Sequence, residues 1–378
     1  MQIHELTTPA ALVNTARMSR NIQAMQQRMN TLGVAFRPHV KTTKCIDIAH
    51  AQIAAGAKGI TVSTLKEAEQ FFAAGISDIV YAVGMVAPKL KQAASLIQQG
   101  CALKIIADSA ESAAAIIAYS RAHSISFEVW IEIDTDGHRS GVKPEGEELI
   151  TIGHILNRHK KTLGGVMTHA GSSYDLHTPE ALQILAEQER SLCVHAATRL
   201  RAAGLPCPNV SIGSTPTALS AVQLEGVTEV RAGVYVFFDL VMSNVGVCSL
   251  DDIALSILTT VIGHQADKGW AIVDAGWMAM SRDRGTQKQA NDYGYGQICD
   301  VNGKVIEGYQ LIAANQEHGI LSQVKGDSNQ TIAARFPVGS QLRILPNHAC
   351  ATGAQFPTYY PINDEQVIGP AWQRFYGW

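Results

Sequence analysis

FRPHVK, residues 36–41, is a short apolar run that stops on a lysine, with turn residues and a helical stretch behind it. The same unit recurs along the chain. GITVST (59–64), DIVYAV (78–83), ALKIIAD (102–108), FEVWIEID (127–134), LGGVMTHAG (163–171), NVSIGST (209–215) and TEVRAGVYV (228–236) are further strand-like runs. Longer stretches such as TLKEAEQFFAAG (64–75) and PEALQILAEQERSLCVHAATRLRAAG (179–204) separate most of them. In the second stretch Leu182, Leu185, Leu192 and Val194 recur at roughly helical spacing, and Gly75 and Gly204 read as helix stops. Eight such units in about 200 residues predict a (β/α)8 barrel. An open doubly wound sheet is the competing arrangement, but no glycine-rich dinucleotide turn follows the first strand.

Past about residue 250 the pattern changes. SILTTVIG (256–263), GWAIVDAG (269–276), GYQLIAA (308–314) and QLRILP (341–346) are short runs parted by Gly, Asp and Asn. They predict a mostly β second domain. The expected division is 10–248 for the barrel and 249–378, with 1–9, for the β domain. AALVNT (10–15) suits either.

At 378 residues the chain is too long for one ordinary core. Hydrophobic residues make up 46%, charged residues 17%, and the net charge is −3, the balance of a compact globular protein. That charge argues against nucleic acid or an anionic membrane as partner, since both recruit Lys and Arg. No apolar run reaches the roughly 20 residues that span a bilayer. MQIHELTTPA has no basic stretch followed by an apolar core, so no signal peptide is expected. Seven scattered cysteines fit reduced thiols and a cytoplasmic location better than a disulfide framework.

In a β/α barrel the chemistry sits where strands end. Here those ends carry His39 and Lys41, Ser63 and Thr64, Asp108, Asp134 to Arg139, His169 to Tyr174, Gly213 to Thr215, and Gly233 to Tyr235. Lys41 is the sharpest of them. A lysine at the end of an apolar strand is expected to be partly dry, which lowers its pKa and frees the amine for a Schiff base. IGSTPT (212–217) places Gly and hydroxyl residues before a helix start, a suitable cradle for phosphate, and RAGVY (231–235) is a second Gly turn at the next strand end. In NHAC (347–350), His348 and Cys350 are two apart; on an extended chain both would face one ion. Imidazole with thiolate suits Zn2+ and tolerates other divalent ions. DAGWMAMSRDRG (274–285) and NQEHG (315–319) are dense in polar groups for a β domain, either as site residues or as hairpin turns.

RPHVKTTK, TVSTLKEAE, EIDTDGHRSGV, THAGSSY, IGSTPT, RAGVYVFFD, DAGWMAMS, NQEHG and PNHACATG stand in one order along nearly the whole chain. In that order they resemble the D-threonine aldolase and D-serine dehydratase family, which has the alanine-racemase-like fold of pyridoxal 5'-phosphate (PLP) enzymes. The resemblance implies that Lys41 carries PLP and that His348 and Cys350 hold a divalent metal (Zn2+, Mn2+, Co2+ or Mg2+). It implies that Ser214, Thr215, Gly233 and Tyr235, with Gly213 in the same turn, bind phosphate. Arg139 matches an arginine beside the pyridine ring, and His169 and Tyr174 match positions lining the cofactor; His39 belongs to the same set. Many relatives read KTHK where this chain reads KTTK, so Thr43 removes one family histidine.

The implied reaction is dehydration of a D-3-hydroxy amino acid to a 2-oxo acid and ammonia. 3-Hydroxyaspartate would give oxaloacetate, and serine would give pyruvate. Retro-aldol cleavage to glycine and an aldehyde is the alternative, but a His-x-Cys pair goes with the dehydratases. A PLP barrel without catalysis is a third reading, and it lacks both the long β domain and the metal pair. Arg139, Arg282, Arg284 and Gln316 are candidate partners for a second substrate carboxylate. The resemblance also implies a homodimer.

Overall fold

The computed structural model describes residues 2–159, 162–326 and 330–378. The chain forms two compact units. One is Gln23–Gly233 with Gly377–Trp378; the other comprises the residues through Ile22 and Val234–Tyr376.

The chain enters through β1 (Ala10–Asn14) and α1 (Thr15–Thr31). Eight parallel strands follow: β2 (Ala35–Pro38), β3 (Ile60–Val62), β4 (Asp78–Gly84), β5 (Ala102–Ala107), β6 (Glu128–Ile133), β7 (Leu163–Thr168), β8 (Asn209–Ile212) and β9 (Glu229–Ala232). Each strand falls inside one of the eight runs read from the sequence or, for β2 and β4, within one residue of it. The helices between them are α2 (Ile46–Ala54), α3 (Leu65–Ala73), α4 (Leu90–Gln98), α5 (Ala110–His123), α6 (Glu147–Asn157), α7 (Pro179–Ala202) and α8 (Thr215–Ser220).

The sheet order is β2-β9-β8-β7-β6-β5-β4-β3. A parallel bridge from His39 to Thr61, with Val40 N–H donating to the Thr61 carbonyl at 2.9 Å, joins β2 to β3 and closes the ring. Inside it Val80, Ile106, Trp130 and Met167 pack as one buried cluster. Each large side chain of this kind stabilises the fold by roughly 1.5–3 kcal/mol. Helix starts are set locally: Thr64, Ser109, Thr178 and Ser214 each accept a backbone N–H of the following first turn.

The buried stripe of α7 differs from the spacing read in the sequence. Leu182 and Leu185 are buried, but Leu192 and Val194 are only half-buried. The stripe runs instead through Glu189, Cys193, Ala197 and Leu200. A carboxylate in the middle of an apolar face hid it.

The second unit continues with α9 (Leu240–Val245), β10 (Leu255–Gln265), β11 (Trp270–Val273), α10 (Trp277–Met280), β12 (Gln297–Cys299), β13 (Val305–Ala314), β14 (Gly319–Gln323), α11 (Ile332–Arg335), β15 (Gln341–Leu345), α12 (Ala349–Gly353), β16 (Thr358–Ile362) and β17 (Trp372–Gln373). Its sheet order is β11-β14-β13-β12-β15-β10-β1-β16-β17, and β10 also pairs β11, closing six strands on themselves. The four runs read beyond residue 250 are β10, β11, β13 and β15.

The division at 22/23 and 233/234 differs from the expected 10–248 and 249–378. The reason is pairing. β1 lies antiparallel to β10 and parallel to β16, so AALVN is part of the β sheet. Past the last barrel strand in sequence, the Phe237 carbonyl accepts the Ala254 N–H at 2.7 Å, which ties the segment after Gly233 to β10's approach. Among the described residues no helix is long and apolar enough to cross a membrane, and the seven cysteines form no disulfide.

Candidate active site

In the barrel unit, β2 ends at Pro38 and the chain turns through His39, Val40 and Lys41. Lys41 is exposed, so the dryness expected of it is not found. It stands three residues beyond the strand, past the rim that buries its neighbours. Its backbone N–H faces the His39 Nδ1 at 3.4 Å. Desolvation, then the charges of Lys41, Arg231 and His169, hold the His39 imidazole well below its ordinary value.

His169, just past β7, points its Nδ1 at the Gly213 carbonyl, 3.0 Å away. A carbonyl only accepts, so Nδ1 carries the proton and Nε2 keeps its lone pair. Desolvation, opposed by that hydrogen bond and reinforced by Lys41, Arg139 and Arg231, brings the His169 pKa to about 3. Tyr174 tilts at 45° to the His169 ring with centroids 6.2 Å apart. Arg139 is exposed beyond β6.

The turn after β8 is built for close approach. Gly213 has φ +125°, a left-handed conformation, and a side chain there would collide with the Arg231 carbonyl. Ser214 caps α8: its Oγ accepts the Thr217 N–H at 3.2 Å, and its own N–H donates to the Thr217 Oγ1 at 3.0 Å. Thr215 is fully buried at the first helical position. At the next strand end, a Cβ on Gly233 would press on the His39 carbonyl and the Thr42 hydroxyl at 3.1 and 3.2 Å, so its absence lets the Lys41 loop settle there. Tyr235 is buried and belongs to the β unit, separate from Gly233. Thr43, where many relatives carry histidine, donates its hydroxyl to the Val40 carbonyl at 3.4 Å. The second lysine of the motif, Lys44, pairs with buried Glu67 at 3.1 Å.

Three groups at this mouth were not singled out in the sequence. Arg231 is buried on β9, donating to the Ser211 hydroxyl at 2.7 Å and the Thr168 carbonyl at 2.6 Å. Ser173 is buried with its hydroxyl 2.9 Å from that of Ser214. Glu189 of α7 reaches the backbone of both neighbouring turns. Arg231 and Ser173 lay inside quoted motifs without distinguishing marks; Glu189 had none. With Lys41, Arg139 and Arg231 the mouth is positive, two imidazoles are neutral, one amine is accessible, and one turn is shaped by Gly and hydroxyl groups. This set fits an anionic aldehyde cofactor with a phosphate.

In the β unit, Cys350 lies in the first turn of α12 and His348 is its N-cap. The extended i, i+2 geometry expected of the pair is therefore not what joins them. The cap turn does, and the Cys350 side chain hydrogen-bonds the His348 imidazole. Asp283 completes the group, with Oδ2 accepting from His348 Nδ1 at 2.6 Å. Ser281 at φ +66° turns the chain after α10, and its hydroxyl accepts the Asp283 N–H at 3.1 Å. Buried Asp239 accepts the Ala349 N–H at 2.9 Å.

Burial alone would depress the His348 imidazole, but the Cys350 sulfur, the Asp283 hydrogen bond and the Asp239 charge hold it well above its usual value. That hydrogen bond also lowers Asp283, whereas burial raises Asp239. Imidazole and thiol, with the imidazole oriented by a carboxylate, fit a borderline-soft divalent ion. Among the described residues no three His, Cys, Asp or Glu side chains form a ready cage. Asp283 was inside a stretch flagged as polar, and Asp239 inside a quoted motif; neither spacing reveals a role. Of the four candidates for a substrate carboxylate, Arg284 pairs with Asp292 at 2.9 Å and the exposed Gln316 side-chain amide reaches Glu317 at 3.5 Å. Arg282 is exposed over the Trp277 ring.

The model of the alanine racemase N-terminal domain matches residues 13–241, and a serine dehydratase domain model matches 254–362. A D-threo-3-hydroxyaspartate dehydratase from Delftia sp. (strain HT23) is 64% identical over 374 residues, covering 99% of this chain and 98% of its own. A D-serine dehydratase from Dictyostelium discoideum is 31% identical over 97% of this chain and 96% of its own. Among solved structures, a cysteine-to-alanine variant of a D-threo-3-hydroxyaspartate dehydratase in its metal-free form superposes with a TM-score of 0.98, at 62% identity and full coverage of both chains.

Proposed function

Because the chain belongs to the D-threonine aldolase and D-serine dehydratase family, on the alanine-racemase-like fold, we propose that it dehydrates D-threo-3-hydroxyaspartate to oxaloacetate and ammonia, using PLP and a divalent metal. The full-length likeness to the Delftia enzyme carries this reading. The His348–Cys350 pair, braced by Asp283, supports it from the site itself.

Bound PLP supplies an electron sink for Cα, and a bound divalent ion supplies a Lewis acid for the β-hydroxyl. Lys41 holds the cofactor through its amine and takes the Cα proton at Nζ. Burial and the neighbouring charges hold the His39 and His169 imidazoles below their ordinary value beside it, so the positive charge of the mouth rests on the arginines. The turn at Gly213, Ser214 and Thr215, with Gly233, receives the phosphate, and Tyr174 and His169 border the ring. Tyr235 joins the phosphate contacts and Arg139 the ring contacts in the same reading. His348 and Cys350 hold the metal. Asp283 keeps Nδ1 of His348 engaged, which directs its other nitrogen to the ion. Arg139, Arg282, Arg284 and Gln316 are the candidates for the substrate's second carboxylate.

The same reading takes the protein as a cytoplasmic homodimer; sedimentation at micromolar concentration tests the second point. The reaction is tested with D-threo-3-hydroxyaspartate, D-serine and D-threonine, each assayed for ammonia and for glycine. Ammonia, fastest from the first substrate, is expected. Glycine with glyoxylate from it would establish aldol cleavage instead.

A further inference from the structure

Glu189 lies on the inward face of α7, 1% exposed, in a stripe otherwise made of Leu, Ala and Cys. Its Oε1 accepts two backbone N–H groups from different turns, Ala170 at 2.9 Å and Gly213 at 3.1 Å. On α8 the Thr217 hydroxyl receives the Ser214 N–H at 3.0 Å, and the Thr217 N–H donates to the Ser214 Oγ at 3.2 Å, closing the turn that Gly213 opens. One carboxylate thus holds Ala170, the residue after His169, and Gly213, the residue whose carbonyl orients His169 and which opens the turn assigned to phosphate. A buried carboxylate is costly unless such partners satisfy it. An apolar residue would serve the α7 packing without that cost, so packing does not explain it.

We infer that Glu189 is a positioning residue for the cofactor, setting the His169 ring and the Gly213–Ser214 turn as one unit from behind the barrel rim. Gly213 is the joint of this unit. Its N–H is fixed by Glu189 and its carbonyl by His169, so its left-handed backbone has no freedom to rotate either group away. The two N–H groups converge on a single oxygen. The carbonyl oxygen of a glutamine can therefore take both. A leucine of similar size can take neither.

This inference rests on reading the barrel mouth as the PLP site. The experiment measures cofactor release from purified holoenzyme by dialysis against inorganic phosphate, followed by the absorption and fluorescence of bound PLP. Release from Glu189→Leu is expected to be faster by on the order of tenfold or more, with a shifted absorption band, because two buried hydrogen bonds are lost and their N–H donors left unpaired. Glu189→Gln is expected to stay within about threefold of wild type, since the acceptor is kept. A folded Glu189→Leu protein that keeps PLP with the wild-type rate and band overturns the assignment. If that variant does not fold, Glu189→Asp decides: the shorter side chain withdraws the accepting oxygen from both N–H groups, so faster release supports the unit and wild-type release overturns it. Failure of the wild-type chain to bind PLP at all would sink the functional reading instead, and the two failures are told apart in the first measurement.

Discussion

The same side chain is used in opposite ways in the two units. His169 at the barrel mouth lies among Lys41, Arg139 and Arg231, and its pKa falls to about 3. His348 in the β unit lies among Cys350, Asp283 and Asp239, and its pKa is held well above the ordinary value. Both are desolvated, so burial does not distinguish them; the sign of the neighbouring charge does. In the proposed reading the barrel mouth receives the anionic groups, phosphate and carboxylate. The β unit offers a place for a cation. The two units thus offer opposite electrostatic surroundings, and the proposed function assigns the cofactor to the one and the metal to the other.

The comparison breaks most visibly at Lys41. Lys41→Ala is expected to reduce turnover by on the order of 10^4-fold and to abolish the absorption band of covalently held PLP. A variant retaining both removes the barrel half of the account. Next in size, Cys350→Ala is expected to reduce turnover by on the order of 10^3-fold, while the cofactor band remains. Loss of the band together with activity would show that the two halves are not separable.

Asp283→Asn sharpens the comparison on the cationic side. It removes the carboxylate that orients His348, and metal affinity is expected to fall roughly 10- to 100-fold, recoverable at high metal concentration. Titration calorimetry on metal-stripped protein measures it directly. On the anionic side the effect is smaller and appears as acid sensitivity. His169 has a folded pKa of about 3 against an unfolded value near 6.5, so the unfolded chain takes up a proton that the folded chain refuses. Stability is then lost as pH falls from about 6.5 toward 3, and unchanged above it. His169→Gln should flatten part of that slope in thermal melts taken at a series of pH values. An identical slope would place the lost stability on other groups.

The sequence made the scaffold legible because a β/α unit announces itself locally. Alternation of apolar runs with capped helices needs no distant partner to be recognised, and all eight barrel strands lie where those runs lie. Lys41, the Ser214 turn and the His348–Cys350 pair could be singled out as candidates for a related reason: each lies in a compact motif. What escaped were single residues whose meaning comes from long-range packing. Asp283 meets His348 across 65 positions of chain. Glu189 sits in a helical stripe where an apolar residue was expected, and so erased the very periodicity that would have located the stripe. The domain boundary escaped similarly, since only the pairing of β1 with β10 and β16 assigns the first strand. The exposure of Lys41 is the remaining departure. Position at a strand end identifies the amine but says nothing of how far beyond the rim it stands.

The division of labour is tested most directly by stripping the metal from PLP-loaded enzyme and following ammonia release from D-threo-3-hydroxyaspartate alongside the cofactor absorption. The account predicts that the band persists while ammonia falls to background, and that a divalent ion restores turnover without altering the band. Full turnover by the stripped enzyme, or disappearance of the band with the metal, would contradict it.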